Sequence, residues 1–347
     1  MPTLRVATRL DDIPAEAWDA LHDGSNPFLA HAFLAGLERH GCIRAAYGWT
    51  PHHLGIWDGA RLTAAVPGYL KDNSHGEFVF DHAWAHAYAQ HGLDYFPKWL
   101  CAVPYSPVPG PRLLARDPSH RRLLLDAMVR LAVLEGASSA HVNFHRDDEA
   151  TAFTEDWLAR IDVQYHWRNE AGWRDFDDYL AAFDHKHRKN IRQERAKVAR
   201  AGITFRVVNG ADASDADLAI AHRFDLQTFA EYGYHPALTL PFLRHLRDTM
   251  PGSLVLIAGG QGKGQDFKPL AQAFRGKVRH VVHEPPEDGL VVQADERGVL
   301  DVAVEPEAVG AAPRDGGVAA RGKLGDGGGA DLELHRAAGT IITGVDA

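Results

Sequence analysis

The apolar positions change period several times along the chain, and each change predicts an element. LRVATRL (4–10) alternates apolar and polar residues, which predicts a strand. EAWDALHD, after Pro14, predicts a helix. A second helix follows Asn26-Pro27, with Phe28, Phe33, Leu34 and Leu37 at helical spacing. HHLGIWDG and RLTAAVPGYLK return to strand patterns, and Asp58-Gly59 between them is a hairpin turn signal. Residues 119–135 form an amphipathic helix and SAHVNFH (139–145) reads as a strand. From Trp173 a second unit opens. Phe176, Leu180, Phe183, His187, Ile191 and Val198 recur at near-helical spacing, as one helix or two in tandem, and Gly202 is a natural stop. ITFRVV then predicts a strand, 214–232 and 240–249 predict helices, and SLVLIAG a buried strand. The pattern is that of an α/β (α+β) protein with mixed strands and helices.

After Phe274 the pattern dissolves. No Phe, Trp or Tyr occurs in the last 73 residues, although 32 aromatics precede them, and 13 of the 33 glycines fall there. Such a segment buries little apolar surface to offset chain entropy, so residues beyond about 285 are expected to be poorly ordered.

Composition narrows the function classes. At 347 residues the chain has room for two domains and a sizeable core. No apolar run approaches a membrane span. The first residues lack a signal-type apolar core, and Cys42 and Cys101 form no framework, so a reducing cytoplasm is expected. A net charge of −9 argues against a protein that coats duplex nucleic acid.

Against that acidic balance stands HKHRKNIRQERAKVAR (185–200), with seven Lys or Arg and one acid, Glu194. On a helix, Arg188, Arg192 and Arg195 lie about a turn apart, and Lys189 widens their face; Lys186 lies further round. Such a surface suits phosphates, with Arg forks gripping two oxygens and Lys adding point charge. The alternative is a solvated helix face. A second candidate is the aromatic-rich stretch 69–100. A carboxylate held among rings has a raised pKa and serves as a base near neutrality, which singles out Glu77 and Asp81, four apart as on one helical face. Lys98 ends the stretch. His82 and His86 are spaced as a metal pair, but no third ligand is specified, so no metal is expected. VPYSPVPGPRLL (103–114) is a stiff loop with four prolines; Arg112 near its end makes it a candidate substrate wall or a structural crossover. GGQGKGQDF (259–267) lacks both the Walker and the dinucleotide spacing.

NPFLAHAFLAGLERHGC, GWTPHHLGIWDG, PGYLKDNSHGEFVFDHAWAHAYAQHGLDYFPKWL, VPYSPVPGPRLL and FDDYLAAFDHKHRKNIRQERAKVARAGI together resemble the FemAB-like proteins of the GNAT acyltransferase superfamily, in order from about residue 3 to 258. The resemblance implies two GNAT-like lobes, a first over 1–170 and a partial second over 171–258, followed by an atypical tail over 259–347. It departs at His82 and His86, where a Trp and an Asp are expected, and in the absence of the family's aromatic-rich C-terminal motifs. LVLIAGGQGKGQDFKPLAQAFRGKVRHVV (254–282) instead resembles the C-terminal domain of the Mur ligase that adds D-glutamate to a UDP-N-acetylmuramoyl precursor. These features imply a second lobe left incomplete.

The resemblance implies transfer of an acyl or aminoacyl group from acyl-CoA or an aminoacyl-tRNA to an amine, with a cell-wall precursor as one acceptor. On that reading Glu77 and Asp81 are base candidates. Lys186, Arg188, Lys189, Arg192, Arg195, Arg112 and Lys98 are candidates for holding the phosphates of a small substrate or cofactor. The other reading is a truncated, non-catalytic protein that binds phosphate ligands.

Overall fold

The computed structural model describes residues 2–165, 168–202, 208 and 210–250, and the backbone of strands at 290–294, 300–304, 334–337 and 341–344. Residues 203–207 of the expected strand 203–208, the expected strand at 253–259 and the Gly-rich 259–267 stretch lie outside the described residues, as does most of the tail. The chain divides into two compact units. One comprises Met1–Asp162, Asn209–Leu254 and Arg336–Ala347, and the other Val163–Val208 and Val255–His335.

The first unit is mixed α+β. Strands β1 (Thr3–Ala7), β3 (His53–Asp58), β4 (Arg61–Val66) and β7 (Leu114–Ala115) make an antiparallel sheet in the order β1-β3-β4-β7. The Asp58-Gly59 signal is the β3–β4 hairpin, with Asp58 opposite Arg61. Gly59 takes φ +60°, a conformation open to glycine at little cost. A second, six-stranded sheet runs β2 (Trp49–Pro51), β5 (Gly68–Lys71), β6 (Lys98–Cys101), β8 (Ser139–Val142), β14 (Ile341–Gly344) and β9 (Leu158–Ala159). β5 and β6 are antiparallel, whereas β6 and β8 are parallel. The parallel step needs a crossover, which α4 (Ser119–Leu134) supplies.

Both faces of this sheet are covered, and alternation sorts its side chains. Trp99, Cys101, Ala140 and Val142 point into the core beneath α4. Tyr69 and Leu100 point the other way, into a core built from α1 (Ala15–Asp19), α2 (His31–Arg39) and α8 (Leu240–Thr249). The polar residues Lys71, Lys98, Ser139 and His141 share that second face by the same alternation, and all four are fully buried. Helix α7 spans Asp215–Glu231. Helices α7 and α8, grouped by position in the sequence with the second lobe, belong to the first unit. Phe242 of α8 meets Phe33 edge-on at 5.5 Å, and the His245 Nε2 lies 2.8 Å from the Ala32 carbonyl.

In the second unit the tandem alternative holds: α5 (Phe176–Ala181) and α6 (His185–Arg200) are separate helices. Asp175 caps α5 by accepting from the Asp178 N–H, and Asp184 caps α6 by accepting from Lys186 and His187. Gly202, at φ +73°, follows the end of α6 where a stop was expected. β11 (Leu290–Ala294) and β12 (Leu300–Val304) pair antiparallel in this unit.

Candidate functional site

The buried polar face of the six-stranded sheet gathers residues from four segments. Lys71 ends β5 and Lys98 begins β6, and the antiparallel register sets them directly opposite one another. Two buried ammonium groups on neighbouring strands demand anions. Both come from the connection between β5 and α3 (His82–Gln90): Lys98 Nζ lies 2.8 Å from Glu77 Oε2 and pairs with Asp81 Oδ2. The Tyr95 hydroxyl donates to the same Asp81 oxygen at 2.7 Å.

Glu77 and Asp81 do not share a helical face. The segment EFVFD is a run of bends with its apolar pattern inverted: Glu77, Val79 and Asp81 are buried while Phe78 and Phe80 are 42% and 69% exposed. Phe78 and Phe80 adopt φ +58° and +48°, left-handed values that cost a non-glycine residue about 1–3 kcal/mol each. Charge capture by Lys98 outweighs the local preference to bury the rings.

The two carboxylates differ in environment. Burial raises the Asp81 pKa, but Lys98, Ser74 and Tyr95 outweigh it and hold the carboxyl well below the usual range. Glu77 goes the other way: burial raises its pKa, only partly countered by Lys98 and Lys71. Its Oε2 lies 2.8 Å from the Lys98 ammonium, whose charge and hydrogen bond offset only part of the burial, and its Oε1 has no hydrogen-bond partner among the described residues.

Lys71 donates to Asn73 Oδ1 at 3.3 Å and to the His75 carbonyl at 3.2 Å, with its ammonium 4.0 Å from the Trp49 ring centroid. Burial, partly offset by Glu77, lowers its pKa from 10.5 to about 8. Between those values the unfolded chain holds a proton that the folded one has released, so stability rises with pH across the window. Urea denaturation at its two ends shows that rise in the wild type, and Lys71→Met reduces it.

His141 and Ser139 complete the row on β8, with Ser139 Oγ 2.7 Å from His141 Nε2. Burial, followed by the charge of Lys98, pushes His141 well below the ordinary histidine value, so it is neutral. These two were missed from the sequence. The period-two alternation in SAHVNFH was the available signal, and it reads equally as a strand with one wet face.

The cations expected on phosphate fall into three groups. Arg112 is fully buried, and its guanidinium donates to the carbonyls of Asn143 (2.8 Å), Val108 (2.8 Å) and Pro111 (3.2 Å). Glu149 holds the same turn by accepting from the backbone N–H groups of Arg112 and Leu113 at 2.6–3.0 Å. Arg112 thus staples the 103–112 loop. Lys98 is committed to the buried carboxylates. The α6 cations stand free: among the described residues Lys186, Arg188, Lys189 and Arg192 make no side-chain ion pair. His185, Arg188, Lys189, Arg192 and Arg200 border a concavity of about 290 Å³. Arg192 also borders a second hollow of about 370 Å³ between α5 and α6, beside Phe176, whose ring carries the Arg195 guanidinium at 4.4 Å.

A family model for FemAB_like proteins, described as peptidoglycan biosynthesis/recognition, matches residues 9–280. The chain belongs to the FemAB-like family. The match continues beyond residue 258, across most of the stretch whose residues resemble the Mur ligase. No curated protein matches the chain. The crystal structure of FemX is similar at 12% identity and a TM-score of 0.34, covering 68% of this chain and 53% of that one. The FemAB-like chain therefore spans about half the length of FemX. No helix among its described residues is long and apolar enough to cross a membrane. His82 and His86 lie exposed on α3, where His86 bonds Gln90 at 3.0 Å.

Proposed function

We propose that this FemAB-like chain is a cytoplasmic acyltransferase of the GNAT type that moves an acyl or aminoacyl group onto an amine of a cell-wall precursor. The donor is acyl-CoA or an aminoacyl-tRNA. The observation that carries this reading is the Glu77 carboxylate: wholly buried, raised in pKa, held by Lys98 through Oε2 and with Oε1 unpartnered among the described residues. An acceptor ammonium placed there gives up a proton to a carboxylate poised to take it, and the free amine attacks the acyl carbonyl. The tetrahedral intermediate collapses with loss of the thiol or the tRNA hydroxyl. Asp81, held ionised by Lys98 and Tyr95, supplies the fixed negative charge that keeps the acceptor's cation in place.

The second element of the proposal is α6, whose Arg and Lys residues, with Lys186, Arg188, Lys189 and Arg192 in no ion pair among the described residues, hold the phosphates of a small substrate or cofactor. Arg188→Ala with Arg192→Ala is expected to weaken binding of a phosphate-bearing ligand such as CoA, with folding unchanged. The wild-type affinity falls with added salt, and the double variant shows a shallower slope. Calorimetry at two salt concentrations checks this; equal affinities and slopes reject the role.

A further inference from the structure

Glu77 is 2% exposed, Asp81 1% and Lys98 0%. A carboxylate that takes a proton from a substrate amine must meet that amine, so this burial has to be relieved during the reaction. The connection between β5 and α3, which carries Glu77, shows where.

Both ends of the connection are fixed. At one end Lys71 donates to the His75 carbonyl, and the Gly76 carbonyl accepts from the Tyr105 N–H at 3.0 Å. At the other, the Asp81 side chain accepts from Lys98 and Tyr95, and its carbonyl accepts from Trp84 and Ala85 of α3. Between them, Glu77, Phe78, Val79 and Phe80 make no backbone hydrogen bond among the described residues. The side chains that hold this stretch inward are Glu77, on Lys98, and Val79, which is 4% exposed. Phe78 and Phe80 keep left-handed φ values of +58° and +48°, a strain that opening releases. Gly76 is the joint: its φ of +77° suits glycine, and a Cβ there would meet the Tyr105 ring at 2.6 Å. Opening strands no charge, because Lys98 keeps Asp81 while Glu77 enters water. A stretch with so few ties opens locally, without unfolding the rest.

We propose that residues 77–80 form a strap, closed in this structure, that swings out between Gly76 and Asp81 to admit the acceptor and brings Glu77 onto it on closing. This rests on the reading of Glu77 as the base and gives that base its access.

Val79→Cys places a reporter on the strap, since cysteine is close to valine in size and its thiol is hidden while the strap is closed. Iodoacetamide modification is followed at each cysteine by peptide mass spectrometry. Cys101, fully buried beneath α4 on the other face of the sheet, marks global unfolding in the same molecule. The introduced thiol is expected to react at least tenfold faster than Cys101 and at least tenfold slower than in the unfolded chain. Its rate is expected to change little with urea below the unfolding transition, because local opening exposes little surface. Equal rates at the two cysteines, with equal urea dependence, would show that the strap opens only with the whole fold. A rate equal to that of the unfolded chain would show that it is not closed at rest. Either result overturns the proposal. The modified side chain is too large for the space that Val79 fills, so modification is expected to lower acyl transfer tenfold or more; undiminished transfer overturns the strap's part in the reaction. An unimpaired rate in Glu77→Gln would instead remove the base reading and leave the labelling of the strap as it stands.

Discussion

Glu77→Gln lowers the rate of acyl transfer by about 10²- to 10⁴-fold and leaves the fold intact. The substitution keeps the size and one oxygen of the side chain but cannot take a proton. Lys98 retains Asp81 as its partner, so no buried cation is stranded. Binding of a phosphate ligand at α6 is expected to be unchanged, because that helix belongs to the other compact unit. The result to look for is a fall in kcat with a far smaller change in KM, together with a wild-type unfolding midpoint. Asp81→Asn is expected to behave differently: it removes the partner that receives both the Lys98 and the Tyr95 hydrogen bonds, and so costs stability as well as rate.

Lys98→Met has the largest expected effect on stability, a loss of about 3–5 kcal/mol. Lys98 is fully buried between Glu77 and Asp81. Removing it leaves Lys71 as the remaining buried cation on this face, and Lys71 donates to Asn73 and His75. One carboxylate must then be buried unpaired or protonated. Both carboxyl pKa values move up, so the variant loses further stability as pH rises through the new values. The triple change Glu77→Gln, Asp81→Asn, Lys98→Met removes the charges together and is expected to recover much of the loss. Breaking a buried pair costs more than replacing it whole. Urea denaturation of the single and triple variants decides this; equal losses in both would show that packing of the lysine stem, not its charge, holds the segment.

What was legible in the sequence was local. Asp58-Gly59 makes its hairpin because the turn chemistry is complete in two residues. α6 stops where expected because Gly202 marks its end, whereas its start, capped by Asp184, settles a choice between one helix and two that the spacing left open. The candidate site was legible in its residues but not in its geometry. Glu77 and Asp81 have helical spacing, yet Lys98, 17 residues beyond Asp81, draws both inward and turns Phe78 and Phe80 out. Arg112 has the chemistry of a phosphate ligand. Its role as a loop staple depends on Glu149, 37 residues away, and on carbonyls that only the fold brings near. The polar residues Ser139 and His141 of SAHVNFH are buried on the face they share with Lys98, and no local pattern encodes that burial.

The pH dependence of kcat/KM for acyl transfer to an amine tests the account most directly. The sign follows from Glu77: a base with a raised pKa is protonated, and inactive, at a higher pH than an ordinary carboxylate. The wild type is therefore expected to lose activity on an acidic limb centred above the ordinary glutamate value of 4.5, and the residual rate of Glu77→Gln to lack that limb. A wild-type rate that stays level down through 4.5, or a Glu77→Gln profile that superimposes on it, would contradict the assignment of Glu77 as the proton acceptor.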